Sequence, residues 1–299
     1  MNLRALMYFD ELVRTRSMRA AADNLNVAPT AVSRQIDNLE EFFGAPLVER
    51  SSRGVTLTAA GELLAERAGK TLRELGNVQQ LIDDLKGLER GRATIFANGA
   101  IVASLLAPVL AQFSATYPKL RFDVHITSAR QAIDALVTAQ ADIAITLFAP
   151  ETSEVKILAV RDIGYDVILP ADHALAAKSG ITLAELSQMP LAMPEKTFAA
   201  RQAFDALFEK AGIELDPVFT ASSLDLLKEL VLDRAAVTLL PELAVARDIK
   251  AGKMVAVPLV GTEGVHTTIE LCVAPDRELS FAAATLSRFI ETFMGNLPK

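Results

Sequence analysis

Hydroxyl, guanidinium and carboxylate side chains follow one another along a helix that the sequence predicts from Pro29 to Phe43, with Gly44 after it. Proline suits the first helical position because it lacks an N–H, and glycine often follows the last turn. The residues predicted to form its buried stripe are Val32, Ile36, Leu39 and Phe43. The polar residues left on other faces are Thr30, Ser33, Arg34 and Asp37. Such groups could meet base edges and phosphates in the major groove of DNA, although a solvated face in another three-helix unit would look the same.

A β-hairpin is predicted directly after this helix, over residues 46–58. Gly54 can adopt the positive φ of a tight turn, and the residues after it alternate between apolar and polar. The hairpin carries Arg50 and Arg53, which could reach phosphates or the adjacent minor groove. Two helices precede these elements, the second with Ser17 as its N-cap. Together they predict a winged helix-turn-helix.

The next segment, from Thr58 to about Leu88, has a helical pattern that repeats every seven residues. The repeating positions are Leu64, Thr71, Val78 and Leu85, interleaved with Ala68, Leu75 and Ile82. Two interleaved heptad positions predict a coiled-coil seam, which Gly69 and Gly76 weaken by about 1 kcal/mol each. A helix packed on its own domain is the alternative. Self-pairing would make the protein a dimer or a tetramer.

Charge is distributed unevenly along the chain. The net charge is −7, yet residues 1–92 contain 13 basic and 13 acidic side chains, so the acidic excess lies beyond them. Because phosphate contacts are local, a neutral N-terminal part can still bind DNA through clustered arginines. The single cysteine, Cys272, excludes an internal disulfide, and the scattered His125, His173 and His266 predict neither a metal site nor another cofactor.

Two features predict a cytoplasmic protein with reduced thiols that does not bind membranes. We expect no apolar run long enough to span a bilayer. The N-terminus carries acidic residues within its apolar stretch and lacks a cleavage site, unlike a signal peptide.

After a boundary near residues 87–92, short β-rich runs alternate with helical segments. The β-rich runs are 93–97, 121–127, 142–147, 155–160, 165–170, 217–221, 236–241 and 267–274. Such alternation predicts an α/β architecture with parallel sheets and helices on both faces. Half of all residues are hydrophobic, which is enough to build packed cores.

The N-terminal motifs together resemble the DNA-binding domain of LysR-type transcriptional regulators. The motifs that carry this resemblance, in order and at the family's spacing, are 16–25, 31–36, 39–40, Gly44, 46–47, Arg50 and 57–61. Pro29 and Thr30 stand where many members have Gln-Pro, and Val48 replaces a usual phenylalanine. The first departure could alter base preference, whereas the second is a core substitution.

The remaining chain resembles the LysR-type effector domain, which has the architecture of type-2 periplasmic binding proteins. Matching segments are 92–97, 105–118, 141–145, Pro170, 173–176 and 239–241. The resemblance implies an α/β multidomain protein: a winged helix-turn-helix (1–58), a dimerising linker helix (59–90) and a bilobal effector domain (91–299). One lobe would comprise about 93–163 and 268–299, and the other about 164–267. The run 233–238 lacks the glycine that members usually have there, which makes the effector class harder to transfer.

In this architecture, ligands bind between the lobes at strand C-termini and helix N-termini, where free N–H groups favour anions. The positions implied for effector binding are Asn98, Gly99, Ala100, Thr127, Ser128, Phe148, Thr197, Phe198, Arg201 and Ser222. Arg201 would suit a carboxylate ligand, although a surface arginine or ordinary helix caps are the competing interpretations.

The resemblance implies a DNA-binding transcriptional regulator that responds to a small molecule, is active as an oligomer and is not an enzyme. A solute-binding protein is one alternative, but it would carry an export signal and no helix-turn-helix. An enzyme is another, with Glu195 beside His173 or Lys196 as acid and base, but no nucleophile elbow or phosphate loop supports it.

Overall fold

The computed structural model describes residues 2–51, 54–85, 91–150, 152–275 and 277–297. The chain divides into two compact units, residues 1–86 with 138–140, and residues 87–137 with 141–299. The elements of the first unit are α1 (Leu3–Thr15), α2 (Met18–Leu25), α3 (Pro29–Phe43), β1 (Val48–Ser51), β2 (Gly54–Leu57) and α4 (Ala59–Leu85).

Local signals in the sequence set the bounds of the first three helices. Ser17 accepts a hydrogen bond from the Ala20 amide and so caps α2, as predicted. Pro29 is the first residue of α3, and Gly44 ends that helix with a φ of 65°, which confirms both predicted ends. The buried residues at the centre of this unit include Phe9, Leu12, Val32, Ile36 and Leu39. Phe43 was predicted to join them, but it is 44% exposed because the last turn of α3 extends past this core.

The hairpin and the start of α4 are held together at Leu47. Strands β1 and β2 are antiparallel, and Gly54 has the predicted positive φ, at 123°. The Leu47 carbonyl accepts the Thr58 amide, and the Thr58 hydroxyl accepts the Gly61 amide at 3.0 Å, so Thr58 caps α4 as predicted. A Cβ placed on Gly61 would lie 1.9 Å from the Leu47 carbonyl oxygen. The glycine is therefore required for this close approach.

The second unit contains two lobes. Its strands are β3 (Gly91–Ala97), β4 (Leu120–Ile126), β5 (Ile143–Leu147), β6 (Lys156–Gly164), β7 (Asp166–Pro170), β8 (Ile181–Thr182), β9 (Ala192–Pro194), β10 (Phe219–Ala221), β11 (Thr238–Leu240), β12 (Met254–Val257), β13 (Leu259–Val260) and β14 (His266–Val273). Its α-helices are α5 (Ala107–Thr116), α6 (Ala129–Val137), α7 (Leu183–Leu186), α8 (Ala199–Lys210), α9 (Leu224–Leu232), α10 (Glu242–Lys250) and α11 (Phe281–Gly295). A 3-10 turn (Gly99–Ile101) and a π-helical turn (Val102–Leu106) precede α5.

The first lobe is built on a five-stranded sheet in the order β4-β3-β5-β14-β6. Strand β3 is parallel to β4 and β5, as predicted, whereas β14 is antiparallel to β5 and β6. In the second lobe, β7 lies between β11 and β12 and is antiparallel to both. The prediction of parallel sheets therefore holds for only part of each lobe. Strand β7 enters the second lobe as the direct continuation of β6, and this reverses its direction relative to its neighbours.

One helical stretch among the described residues, Gly99–Thr116, is long and apolar enough to cross a membrane by length and composition. The prediction that no run reaches that length was wrong. The stretch forms the two short turns and α5, and its side chains Ile101, Leu105, Val109 and Phe113 are fully buried against the first lobe's sheet. One side of the stretch therefore packs in the core, and a third of its residues are buried.

Two glycines of α4 are expected to respond oppositely to alanine. Gly61→Ala should destabilise the first unit by at least about 1–3 kcal/mol, because the new Cβ overlaps the Leu47 carbonyl. Gly76→Ala should stabilise it by about 1 kcal/mol, because a Cβ there meets nothing within 4 Å and helix propensity improves. Urea unfolding of the full chain followed by circular dichroism measures both. Equal effects of the two substitutions would contradict the close approach at Leu47.

Candidate functional site

The exposed face of α3 carries the residues predicted to contact DNA. Successive helical residues turn by about 100°, which places Thr30, Ser33, Arg34 and Asp37 on the side opposite the buried stripe. Thr30, Arg34 and Asp37 are exposed, and Ser33 is half-buried. One helix face therefore presents two hydroxyls, one guanidinium and one carboxylate to solvent.

Arg50 joins this face from strand β1. Its guanidinium lies 2.6 Å from an oxygen of Asp37 and donates to the Ser33 hydroxyl at 2.9 Å. The ion pair is about half exposed at both partners, so water screens it and its contribution to stability is small. The structure thus brings Ser33, Asp37 and Arg50 together. Arg53, the other predicted wing residue, lies outside the described residues.

The apolar stripe of α4 is covered along only half its length. Ala68 is buried, and Leu64 and Leu72 pack against the core of the first unit. The predicted heptad seam is therefore wrong for Leu64 and Ala68, which pack within their own unit. Farther along the same stripe, Leu75, Val78 and Ile82 are 41–48% exposed.

An apolar groove of about 510 Å³ lies in the same unit, beside the start of α4. Its lining residues are Leu6, Phe43, Ala45, Leu47, Ala60, Leu63, Leu64, Arg67, Ala68 and Thr71. Leu63 at its edge is 61% exposed. With the uncovered half of α4, this groove gives the first unit a large exposed apolar surface.

In the second unit, the predicted effector-binding residues of the first lobe meet at one edge of its sheet. The Asn98 amide donates to Ile145 and the Thr127 amide donates to Ala97, which ties together the ends of β3, β4 and β5. Asn98, Gly99 and Ala100 follow β3, Thr127 and Ser128 follow β4, and Phe148 follows β5. Parallel strands end at the same edge, so these positions lie side by side.

Most polar groups at this edge already have partners within the lobe. The Asn98 side chain accepts the Ala100 amide at 2.9 Å. The hydroxyls of Thr127 and Ser128 both contact the Gln131 side-chain oxygen, at 3.1 Å for Ser128. Gln131 was not among the predicted residues, although its position three after Ser128 is typical of a helix cap. A ligand here would compete with these internal contacts.

The second lobe contributes the ends of β9 and β10. These strands are parallel, and the Glu195 amide donates to Ala221, so Thr197, Phe198 and Ser222 lie near the same edge. Ser222 is exposed, and the cap of α9 is its neighbour Ser223. The edges of the two lobes meet at Gly99, where an added Cβ would lie 3.5 Å from Ile126 and 4.0 Å from Leu224.

Arg201 does not fit its predicted role as a cation for an anionic ligand. Its side chain is buried, with the residue only 3% exposed. The guanidinium lies 2.7 Å from Asp205 and donates to the Pro194 carbonyl at 3.0 Å. Both contacts lie within α8 and the strand before it. The guanidinium therefore stabilises the second lobe.

The residues considered for acid–base chemistry belong to two separate segments. The His173 ring accepts the Leu175 amide at 3.2 Å in the turn after β7, whereas Glu195 and Lys196 are exposed in the segment after β9. Burial raises the pKa of the Cys272 thiol to about 12, and Glu270 contributes to the shift. Among the described residues no cluster of histidine, cysteine and carboxylate side chains could hold a metal ion.

Residues 3–62 match the family described as bacterial regulatory helix-turn-helix protein, lysR family, and residues 86–295 match LysR substrate binding domain. The DNA-binding transcriptional dual regulator OxyR of Escherichia coli (strain K12) is 30% identical over 295 residues, 98% of this chain and 96% of that protein. A hydrogen peroxide-inducible genes activator of Pectobacterium carotovorum subsp. carotovorum is 28% identical over 303 residues, with all of both chains covered. A full-length OxyR variant from Pseudomonas aeruginosa shares the fold, with a TM-score of 0.72 and 20% identity, covering 99% of this chain and 95% of the other.

Proposed function

This chain belongs to the LysR family of bacterial regulatory helix-turn-helix proteins, and from that premise we propose which of its surfaces bind DNA, effector and a second copy. It is a DNA-binding transcriptional regulator with a C-terminal effector-binding domain, and it is not an enzyme. Because it acts on DNA, we place it in the cytoplasm.

The exposed face of α3 is the surface that we assign to the major groove. Thr30, Ser33 and Arg34 lie toward its N-terminal end, where a recognition helix reaches base edges. Among the described residues no ion pair restrains Arg34, so its guanidinium is free to bind a guanine edge. Arg50 is held over α3 by Asp37 and Ser33, which suits a contact with a backbone phosphate.

The uncovered half of α4 is the surface that we assign to self-association. Leu75, Val78 and Ile82 continue the stripe that packs within the first unit, but no described residue of that unit covers them. A second copy of the chain would bury them and pair two winged units, as needed to read two half-sites. The expected assembly is a dimer or a dimer of dimers.

The facing strand ends of the two lobes are the place that we assign to the effector. Backbone N–H groups at the starts of helices favour an anion, as do the hydroxyls of Thr127 and Ser128. The acidic excess of this part of the chain acts over longer distances and is screened beyond about 8–10 Å at cellular salt. We therefore expect a small anionic metabolite, bound without Arg201.

One similar protein is named a hydrogen peroxide-inducible genes activator, but we do not assign a thiol-based response to peroxide to this chain. Thiol oxidation requires an accessible thiolate. The only cysteine, Cys272, is fully buried in β14, and burial raises its pKa to about 12. We propose that the signal is a bound molecule and not oxidation of a cysteine.

Arg34→Ala and Arg50→Ala should weaken operator binding in different ways. Loss of Arg34 should cost about 1–3 kcal/mol and relax specificity at one base pair, whereas loss of Arg50 should lower the salt slope by about one. The operator is obtained by selecting genomic fragments with the full-length protein, and a salt titration measures both variants. Arg14→Ala, which removes an exposed arginine paired with Glu11, is the control. Wild-type binding by both test variants would reject this docking.

Val78→Glu should dissociate the assembly. The carboxylate would be buried against an apolar partner, so the dissociation constant should rise at least about tenfold. Gln79→Glu adds the same charge at the next position and should change little, because residue 79 points about 100° away around the helix. Sedimentation of the full chain across a concentration series distinguishes these outcomes. Unchanged sedimentation of the Val78 variant would place self-association elsewhere.

Ser128→Ala should lower effector affinity about tenfold through loss of one hydrogen bond to a charged group. A thermal-shift screen of metabolites supplies the ligand, and titration calorimetry measures the variant. Ser114→Ala, whose hydroxyl contacts Ala111 at the exposed side of α5, is the control. The strand ends would be excluded as the binding site if every hit were a cation, or if the Ser128 variant bound an anionic hit with full affinity.

Cys272 should be unreactive in the folded protein. A pKa near 12 instead of 9 leaves about 1000-fold less thiolate at neutral pH, so alkylation should be slower by at least that factor than in urea. Alkylation followed by mass spectrometry measures the rate, and peroxide should leave operator affinity unchanged. A sulfenic acid formed in the native protein, together with altered DNA binding, would contradict the proposal.

A further inference from the structure

Phe148 has a backbone conformation that nothing in its local sequence explains. Among the described residues, five other than glycine have positive φ. Four of them follow helices, where a left-handed residue is common: Arg16, Asn26, Ala139 and Arg234. Phe148 follows strand β5 instead, with a φ of 54°. A bulky aromatic residue adopts this conformation only where its surroundings require it.

Thr267 supplies one of those requirements. The antiparallel ladder between β5 and β14 includes the pair Leu147 and Ile269. Just past that pair, the Phe148 amide donates to the Thr267 hydroxyl at 3.0 Å. Thr267 itself pairs with Ile163 of β6, in the strands that lead from one lobe to the other. A side-chain hydroxyl thus holds the end of β5 to the crossing strands.

The Phe148 ring supplies the other requirement. Phe148 is the one residue, in the described part of the chain, that packs against both large hydrophobic clusters of the second unit. Its ring centroid lies 5.8 Å from that of Tyr165, which sits buried at the break between β6 and β7. The Tyr165 ring lies 5.3 Å from Phe204 of α8. A chain of aromatic contacts therefore runs from the first lobe to the core of the second.

We propose that Phe148 and Thr267 form a latch that holds the two lobes in the arrangement seen here: the hydrogen bond from the Phe148 amide to Thr267 keeps the residue in its left-handed conformation, and its ring, packed against both hydrophobic clusters, ties the lobes together. Loss of the hydrogen bond lets the residue relax to ordinary extended backbone, and loss of either contact lets the lobes change their arrangement. A bound effector could shift the equilibrium only through a difference in affinity for the two arrangements. Control of the latch by an effector therefore rests on the effector site proposed above, and the latch would couple that site to the lobe arrangement.

The lobe arrangement is measured directly by pulsed electron resonance between two spin labels. Arg130→Cys on α6 and Glu209→Cys on α8 place labels on exposed positions of the two lobes, and the buried Cys272 is not expected to be labelled. In this background Thr267→Val should shift the distance distribution or add a second peak. Thr267→Ser, which keeps a hydroxyl, and Thr268→Val, which removes a hydroxyl bonded to Glu270, should match the parent. A Thr267→Val distribution that superimposes on the parent overturns the latch.

Phe148 provides a second test that does not depend on Thr267. Phe148→Gly and Phe148→Ala both remove the ring, but only glycine adopts positive φ without a steric cost. The glycine variant should therefore melt about 2–4 °C above the alanine variant, the reverse of the usual order. An alanine variant that melts at or above the glycine variant overturns the proposal. In the spin-labelled background, Phe148→Gly should show the same second arrangement as Thr267→Val.

Neither measurement uses DNA or an effector. The latch can therefore fail while Ser128→Ala still lowers effector affinity, and the effector site can fail while the lobe distances still respond to Thr267→Val.

Discussion

Burial of one apolar stripe on each long helix of the first unit decides which residues remain available for partners. Val32, Ile36 and Leu39 are fully buried, and this orientation of α3 leaves the face of Arg34 in solvent. On α4, the core of the same unit covers the apolar stripe only as far as Leu72. What a partner can contact is thus the part of each helix that the core does not use.

Polar side chains also fall into two classes: those that bond to partners within the fold, and those that stay exposed and can contact a binding partner. Arg201 and Arg34 are both arginines near the start of a helix. Arg201 is buried with Asp205 and a backbone carbonyl, so it stabilises the second lobe, whereas Arg34 remains exposed. Arg50 is intermediate: its partners Ser33 and Asp37 are themselves on the face that we propose binds DNA, so a structural contact coincides with the proposed binding surface.

The two lobes are joined by strands whose direction follows from their connection. Strand β7 continues β6 without a crossover helix and runs antiparallel to both β11 and β12, so this three-stranded sheet is antiparallel throughout. At the same junction, Phe148 at the end of β5 contacts both Tyr165 and Thr267. Changes in lobe arrangement must pass through this region, because both connecting segments cross there.

The sequence alone determined the features that depend on local interactions. Helix ends at Ser17, Pro29, Gly44 and Thr58 were predictable because caps and fixed φ values act within a few residues. The exposed face of α3 followed from helical period, and the order of strands and helices in the second unit followed from alternation. Motifs along the full chain also sufficed to indicate the family.

Tertiary structure decided what depends on contacts between distant residues. Periodicity could not show that the α4 stripe is covered by its own unit at Leu64 and Ala68 but uncovered at Val78, because this depends on where α1 ends against it. Nor could it show that Arg201 pairs inward, or that Thr267 bonds Phe148 across 119 positions of sequence. Such contacts depend on how separate elements pack, and no local propensity encodes that packing.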